Sequence, residues 1–175
     1  MKKLDILESQ AKLIYLGLGS NIGNRINNLE NAKFLLNSNN VIIKKTSSYY
    51  ESKSWPNERF PKYLNIVIEA KTNLDINSLY ILIKIIEKKL GRKKSKKNNP
   101  RPCDIDILDY DRKVKSINLN DETIKIPHPR LHRRNFVLIP LFEISKNWIH
   151  PYYNQNIAKL LSNINNNDLR TIKIT

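Results

Sequence analysis

Ile14, Leu16 and Leu18 alternate with Tyr15 and Gly17, and this period of two predicts a strand. Gly19-Ser20-Asn21 is expected to break it. Ile22, Ile26, Leu29, Ala32 and Leu36 then recur at helical spacing, and Asn37 to Asn40 ends that helix. Val41 to Tyr50 is rich in β-branched and aromatic residues and reads as a second strand. Glu51 to Pro61, with two prolines and several charges, reads as a long loop. Tyr63 to Lys71 is a third strand, with Leu64, Ile66 and Ile68 set against Asn65 and Val67. Asp75 is placed to cap a second helix whose stripe is Leu79, Ile83, Ile86 and Leu90, with Gly91 as its stop.

Cys103 to Tyr110 predicts a fourth strand, and Asp111 to Pro127 an irregular hairpin. A helix carrying Phe136, Val137 and Leu141 is expected to start near Arg133, with Pro140 forcing a kink or a late start. The Asn-rich stretch Asn163 to Asp168 is expected to be weakly ordered. Strand, helix, strand, strand, helix, strand is the order of an α+β, ferredoxin-like split βαβ sandwich. Its core is a mostly antiparallel four-stranded sheet with flanking helices. The 175 residues suit one domain, with a core from about residue 12 to residue 162.

Composition narrows the classes. No apolar run approaches the roughly 20 residues of a membrane helix. The charged N-terminus shows no signal-peptide pattern. A single cysteine, Cys103, excludes an internal disulfide and points to the reducing cytoplasm. The net charge of +15 suits nucleic acid, an anionic membrane or a phosphate-rich ligand. The abundance of Lys, Ile and Asn gives it a second explanation, an AT-rich coding bias. Position therefore matters more than total. The densest basic run, Lys84 to Arg101, contains one acid, Glu87, and leads into the fourth strand.

That strand carries Asp104 and Asp106. Residues two apart share a face, roughly 6.5–7 Å apart along the chain, while Ile105 and Ile107 turn to the core. Two carboxylates on one face fit a hard cation such as Mg²⁺, with phosphates filling its other positions. A merely exposed strand face is the alternative. The adjacent Arg92, lysines and Arg101 favour a metal–polyphosphate complex. Downstream, Pro127-His128-Pro129-Arg130 with Arg133 and Arg134 offers further phosphate donors, or else a rigid basic turn. Gly17 to Gly23 fits neither the dinucleotide nor the Walker A spacing, and reads as a tight turn near the active face. Tyr63 and Asn65 share a face, so a ring and an amide could meet a flat heterocycle, or simply pack across strands. Cys103 has no catalytic partner, and the three histidines have no metal-site spacing with it. Trp55 falls in a loop and Trp148 is expected to pack.

Several blocks occur together: Gly19-Ser20-Asn21; Tyr63-Leu64-Asn65; Glu87 with Gly91-Arg92; Pro100-Arg101-Pro102-Cys103-Asp104-Ile105-Asp106-Ile107-Leu108; Ile126-Pro127-His128-Pro129; and Arg134-Asn135-Phe136 leading to Pro140-Leu141-Phe142-Glu143-Ile144. In that order they resemble the 6-hydroxymethyl-7,8-dihydropterin pyrophosphokinase family, from about Ile14 to Pro151. The resemblance implies diphosphate transfer from ATP to the pterin alcohol, releasing AMP, in folate biosynthesis. It implies two Mg²⁺ ions on Asp104 and Asp106, and catalytic roles for these two with Arg92 and Arg101. It implies ATP contacts at Lys84, Glu87, Arg92, Lys94, Arg101, Ile107, His128 and Arg134. The pterin would lie between Tyr63 and Phe136, read by Asn65 and bordered by Ser52 and Trp55 in the first loop. Loops Glu51–Pro61 and Arg92–Pro102 would close over the substrates. Lys84, Lys94, Asn98 and Cys103 depart from a glutamine, an arginine, a tryptophan and a threonine familiar at those places.

The expected protein is thus a cytoplasmic monomer that binds ATP and a pterin, and neither nucleic acid nor membrane. An RNA-binding sheet is the first rival, but the RNP1 pattern is absent. A non-catalytic relative is the second, and the retained aspartates and arginines argue against it.

Overall fold

A computed structural model describes residues 11–54, 57–93, 99–119 and 122–175. Trp55, Lys94 and Asn98, named above, lie outside the described residues. The elements run β1 (Lys12–Ser20), α1 (Arg25–Asn37), β2 (Val41–Thr46), β3 (Tyr50–Ser52), β4 (Tyr63–Thr72), α2 (Ile76–Lys89), β5 (Asp104–Tyr110), β6 (Lys115–Leu119) and β7 (Glu122–Ile126). A 3₁₀ turn (Leu131–Arg133), α3 (Asn135–Ile144), α4 (Ile157–Ser162), α5 (Asn166–Leu169) and β8 (Lys173–Ile174) follow.

The main sheet is ordered β5-β1-β4-β3-β8, and β2 pairs with the same edge of β4 as β3. Every pairing is antiparallel. The expected ferredoxin-like core is present, with β6 and β7 forming a separate hairpin.

Two hydrophobic layers cover the sheet. Ile14, Leu16 and Leu18 of β1, Leu64, Ile66 and Ile68 of β4, and Ile105 and Ile107 of β5 pack under α1 and α2. The alternate positions Tyr15, Val67 and Leu108 pack against Val137, Leu138 and Leu141 of α3 and Ile157 and Leu160 of α4. Trp148 joins this second layer, and its indole N–H donates to Asp109 Oδ2 at 2.9 Å. Each fully buried aliphatic side chain contributes on the order of 1.5–3 kcal/mol. Two-sided burial explains why Val67, on the face alternate to Leu64, Ile66 and Ile68, is fully buried as well.

The helix limits follow local chemistry. Asp75 caps α2 by accepting from the amides of Asn77 and Ser78 at 2.9 and 3.0 Å, an arrangement worth ~1 kcal/mol. Gly91, at φ +91°, turns the chain out of it. In α1 only Leu29, Ala32 and Leu36 of the expected stripe are buried, and Ile26 is exposed. The helix expected near Arg133 begins at Asn135 after the 3₁₀ turn, and Pro140 lies inside it.

Three expectations change. First, Gly19 and Ser20 do not break β1: both stay in the ladder opposite Asn65 and Leu64. The turn comes after them, and Gly23, not Gly17 or Gly19, has positive φ, at +70°. Second, the single strand Val41 to Tyr50 is split, and Glu51 and Ser52 belong to β3 rather than to a loop. The Ser47 hydroxyl causes the break by accepting from Val67 N at 3.0 Å, so a side chain replaces a ladder carbonyl. Third, the Asn-rich stretch Asn163 to Asp168 is not without regular structure: α5 starts in it at Asn166, and beyond it β8 pairs with β3 through Tyr50↔Ile174 and Glu51↔Lys173.

Candidate active site

The second sheet face is not covered along its whole length. Beside the start of α3 it opens into a cleft of about 1620 Å³. Strand alternation builds the floor. Gly19 is paired with Asn65 on one side and Asp104 on the other. One step along, Gly17 is paired with Val67 and with Asp106. The glycines leave a trough between the polar side chains of β4 and β5. A Cβ on Gly19 would come within 3.3 Å of both Asn65 Oδ1 and Tyr63 Cδ1.

At the β5 side the carboxylates are ringed by cations. Arg92, just after α2, bridges Asp104 and Glu87, with its Nη1 2.6 Å from Asp104 Oδ1. Arg101 Nη1 lies 3.4 Å from Asp104 Oδ2. Arg134 Nη1 lies 2.9 Å from Asp106 Oδ2. His128 Nε2 is 3.8 Å from the same oxygen, beyond hydrogen-bond range. The Asp104 and Asp106 side chains remain 32% and 36% exposed, so both stay open to the cleft.

Glu87 is different, for it is 1% exposed. Its carboxylate accepts from Ile105 N at 2.8 Å and from Lys84 Nζ at 3.3 Å, besides Arg92. Burial pushes its pKa up, against the opposing pull of Arg92 and Lys84. The same burial opposes the charge on Arg92, but Asp104 and Glu87 outweigh it and its pKa is raised. The glutamate thus anchors both Arg92 and the start of β5.

Burial also lowers the pKa of His128, an effect that Asp106 only partly counters. Its Nδ1 accepts from Arg130 N at 3.2 Å, and this pattern assigns the proton of the neutral ring to Nε2. The Nε2–H faces the Asp106 side as a donor.

At the β4 side, Asn65 donates both amide hydrogens away, to Tyr50 O at 3.1 Å and Ser52 Oγ at 3.0 Å. Its Oδ1 is left on the Gly19 side, as an acceptor at the cleft floor. Phe136, at the start of α3, lines the opposite wall, with the Arg134 guanidinium 5.4 Å from its ring centroid.

The structure brings most of the expected residues together. Ser52, Tyr63, Asn65, Lys84, Glu87, Arg92, Arg101, Asp104, Asp106, His128, Arg134 and Phe136 all line the cleft. Ile107 is the exception among those described, since its side chain is buried in the α1/α2 layer. Alternation explains this, because it sits between two positions of the other face.

Asn21 had been read only as part of a motif. It is 1% exposed and ties both long loops to β1. Its Oδ1 accepts from Arg101 N at 2.7 Å, and its Nδ2 donates to Ser54 Oγ and Pro61 O at 3.3 and 3.2 Å. The turn after a cleft-lining strand was the one available sequence signal.

Could the carboxylates hold a metal? Among the described residues no three His, Cys, Asp or Glu side chains gather as a metal cage. Two half-open carboxylates alone suit a hard cation that takes its remaining ligands from phosphate and water. The donor set therefore fits Mg²⁺ entering with a nucleotide, on Asp104 and Asp106. No helix among the described residues is long and apolar enough to cross a membrane.

The chain is 44% identical over 146 residues to the 2-amino-4-hydroxy-6-hydroxymethyldihydropteridine pyrophosphokinase of Aquifex aeolicus, covering 83% of this chain and 88% of that protein. It is 37% identical over 159 residues to the folic acid synthesis protein fol1 of Pneumocystis carinii, covering 91% of this chain and 21% of that longer protein. The crystal structure of wild-type Plasmodium falciparum HPPK-DHPS superposes with a TM-score of 0.70 at 18% identity, over 87% of this chain and 44% of that one. At that identity the likeness is one of fold. The family model for 7,8-dihydro-6-hydroxymethylpterin-pyrophosphokinase (HPPK) matches residues 15–146. On that match and the relatives beside it, the chain belongs to the HPPK family.

Proposed function

We propose that the cleft transfers the diphosphate of ATP to the hydroxymethyl oxygen of 6-hydroxymethyl-7,8-dihydropterin, releasing AMP, a step of folate biosynthesis. Membership of the family makes the chain a pyrophosphokinase. The observation that carries the residue assignment is the row Asn65–Gly19–Asp104 across three adjacent strands. It puts an amide and its neighbouring ring at one end of a single trough and the acidic, arginine-ringed pair at the other.

The pterin would stack between Tyr63 and Phe136, with Asn65 Oδ1 accepting from its edge. ATP would lie over β5 with its phosphates on Arg92, Arg101, Arg134 and the His128 Nε2–H. Asp104 and Asp106 would hold Mg²⁺, which supplies further charge neutralisation on the phosphates. In the reaction the hydroxymethyl oxygen bonds to the β-phosphorus as the bond from that phosphorus to the bridging oxygen of AMP breaks, and the hydroxyl proton is released. The chain's contribution is alignment and fixed positive charge, and no protein nucleophile is required. The arginines already sit among carboxylates, so their forks are oriented before the nucleotide arrives. The arriving phosphates exchange one anionic partner for another, and the arginines need not be stripped of water at the moment of reaction.

The test is product analysis with ATP, Mg²⁺ and the pterin. AMP and pterin diphosphate should form one for one, and no AMP should form when the pterin is left out. Release of ADP instead of AMP would refute the assignment.

A further inference from the structure

We propose that the C-terminal segment 163–175 is the outer wall of the pterin end of the cleft, and that Asn135 latches it there. The proposal rests on the pterin site described above. The segment lies beyond the stretch matched by the family model, which ends at residue 146. Yet Ile164, Asp168 and Thr171 line the same cleft as Phe136 and Asn65.

The segment is pinned at two points, one on each side of the pterin end. At the first, Asn135 Nδ2 donates to Asp168 O at 2.6 Å and to Thr171 Oγ1 at 3.3 Å. Asn135 immediately precedes Phe136, and its Oδ1 accepts from Phe136 N at 2.7 Å. One amide therefore couples the wall to the residue that carries the Phe136 ring into the cleft. At the second, β8 pairs with β3, and Thr175 N donates to Tyr49 O at 3.1 Å. Strand β3 carries Ser52, which receives a hydrogen bond from Asn65. The strap spans the gap from the ring-bearing helix to the strand that orients the reading amide.

None of its apolar side chains is fully buried: Ile164 packs half-buried against the second core layer, and Leu169 and Ile172 are half-buried. Ile174 is 68% exposed, and Asp168 and Thr171 are exposed as well. A segment fastened mainly by a few hydrogen bonds and half-buried side chains opens at low free energy. It can admit a flat heterocycle and then cover the flank that Tyr63 and Phe136 leave open. The hydrogen bonds that pin the wall run to Asn135, beside Phe136, and to the β3 side, so its contribution belongs to pterin retention and not to phosphoryl transfer.

Two variants test this, with pterin affinity read directly by fluorescence and by steady-state kinetics. One is the chain ending at Ser162. The other is full-length Asn135→Asp, which keeps the acceptor for Phe136 N but loses the donor to the strap. Both should raise the pterin Kd and KM, the truncation by about tenfold and Asn135→Asp by about threefold or more. The ATP KM, and kcat at saturating pterin, should stay within about twofold of the parent. A helix-start role alone would be preserved in Asn135→Asp and would leave pterin affinity unchanged. If the truncated chain does not fold, Asn135→Asp decides alone. Pterin affinity within about twofold of the parent in Asn135→Asp overturns the proposal. If the parent binds pterin but makes no AMP, the assigned reaction falls while the affinity comparison still judges the wall. If the parent binds no pterin, both fall.

Discussion

Asn65 and Asp104 are the two register partners of Gly19, one on each side of β1. Two strand spacings put their Cα atoms on the order of 10 Å apart. The residue between them must be small. A Cβ on Gly19 would come within 3.3 Å of Asn65 Oδ1 and Tyr63 Cδ1, tighter than most real contacts. Gly19→Ala should therefore displace the amide and the ring by a few tenths of an ångström and leave the arginines in place. Pterin affinity should drop about tenfold while ATP affinity holds. Calorimetry with each ligand separates the two, and equal losses would contradict the assignment of β4 to the pterin.

The acidic pair gives a second expectation. Asp104→Asn and Asp106→Asn keep shape and remove charge at side chains that are about one-third exposed. Both variants should fold. In Asp104→Asn, Arg92 keeps its partner Glu87. Turnover should fall by roughly a thousandfold or more, the scale expected when charge stabilisation at a transferring phosphoryl group is lost. Near-parental activity with Mg²⁺ in either variant would mean that the metal sits elsewhere.

How legible this site was from sequence follows the range of the interactions. The period-two pattern of β5 is local, and it correctly sent Ile105 and Ile107 inward and Asp104 and Asp106 out. The Asp75 cap is local too. The break at Ser47 is not, because it depends on Val67, twenty residues on, whose N–H donates to the Ser47 hydroxyl in place of a ladder carbonyl. Gly19 looked like a turn residue because glycine is ambiguous between needing an unusual φ and needing space. Here the close approach of Asn65 and Tyr63 decides it. Asn163 to Asp168 was expected to be weakly ordered because its polar composition offers little to bury. The contacts of the segment that follows are made with Asn135 and β3, both distant in the chain. Arg92 was expected to face phosphates, but its present partners, Glu87 and Asp104, could be identified only in space.

Asn21 is the least conspicuous of the buried polar groups and supports a third expectation. Asn21→Ala leaves Arg101 N without its acceptor and removes a donor from Pro61 O. Losing buried hydrogen bonds of this kind costs ~1–3 kcal/mol. Urea denaturation should register that loss. Turnover should also fall, since Asn21 fixes both the Arg101 stretch and the loop after β3. A variant with parental stability and kcat would show that the loops are held by other contacts.

Placement, not general charge, should matter among the basic residues. Arg92 is part-buried between Glu87 and Asp104, whereas its neighbour Lys93 is exposed. Arg92→Ala should slow turnover by about a hundredfold or more, because it removes an oriented fork at the phosphates. Lys93→Ala removes the same charge from a screened position and should cost less than about twofold. Comparable losses in the two variants would assign the work to a diffuse positive field.

The last expectation concerns stability at low pH and a residue outside the cleft. His150 is 2% exposed, and its Nδ1 accepts from the amides of Tyr152 and Tyr153 at 3.1 and 3.3 Å. Burial pushes its pKa from 6.5 down to about 4, and the nearby His132 adds to the shift. The unfolded chain therefore takes up this proton near pH 6.5 and the folded chain only near pH 4. Between those values the unfolded state holds more protons, so stability falls as the pH drops through the window and is fully kept above it. The whole shift corresponds to at most about 3 kcal/mol, and the part between pH 7 and pH 5 to about 2 kcal/mol. His128 and His132, also shifted down by burial, act in the same direction. The buried Glu87 and Asp109, shifted up by burial, act in the opposite one. A comparison of variants isolates His150 from these. His150→Asn keeps an acceptor for the two amides and cannot titrate in this range. Urea denaturation at pH 7 and at pH 5 should show the parent losing about 2 kcal/mol more than His150→Asn on acidification. Equal losses would show that the buried neutral imidazole is not a source of acid sensitivity in this fold.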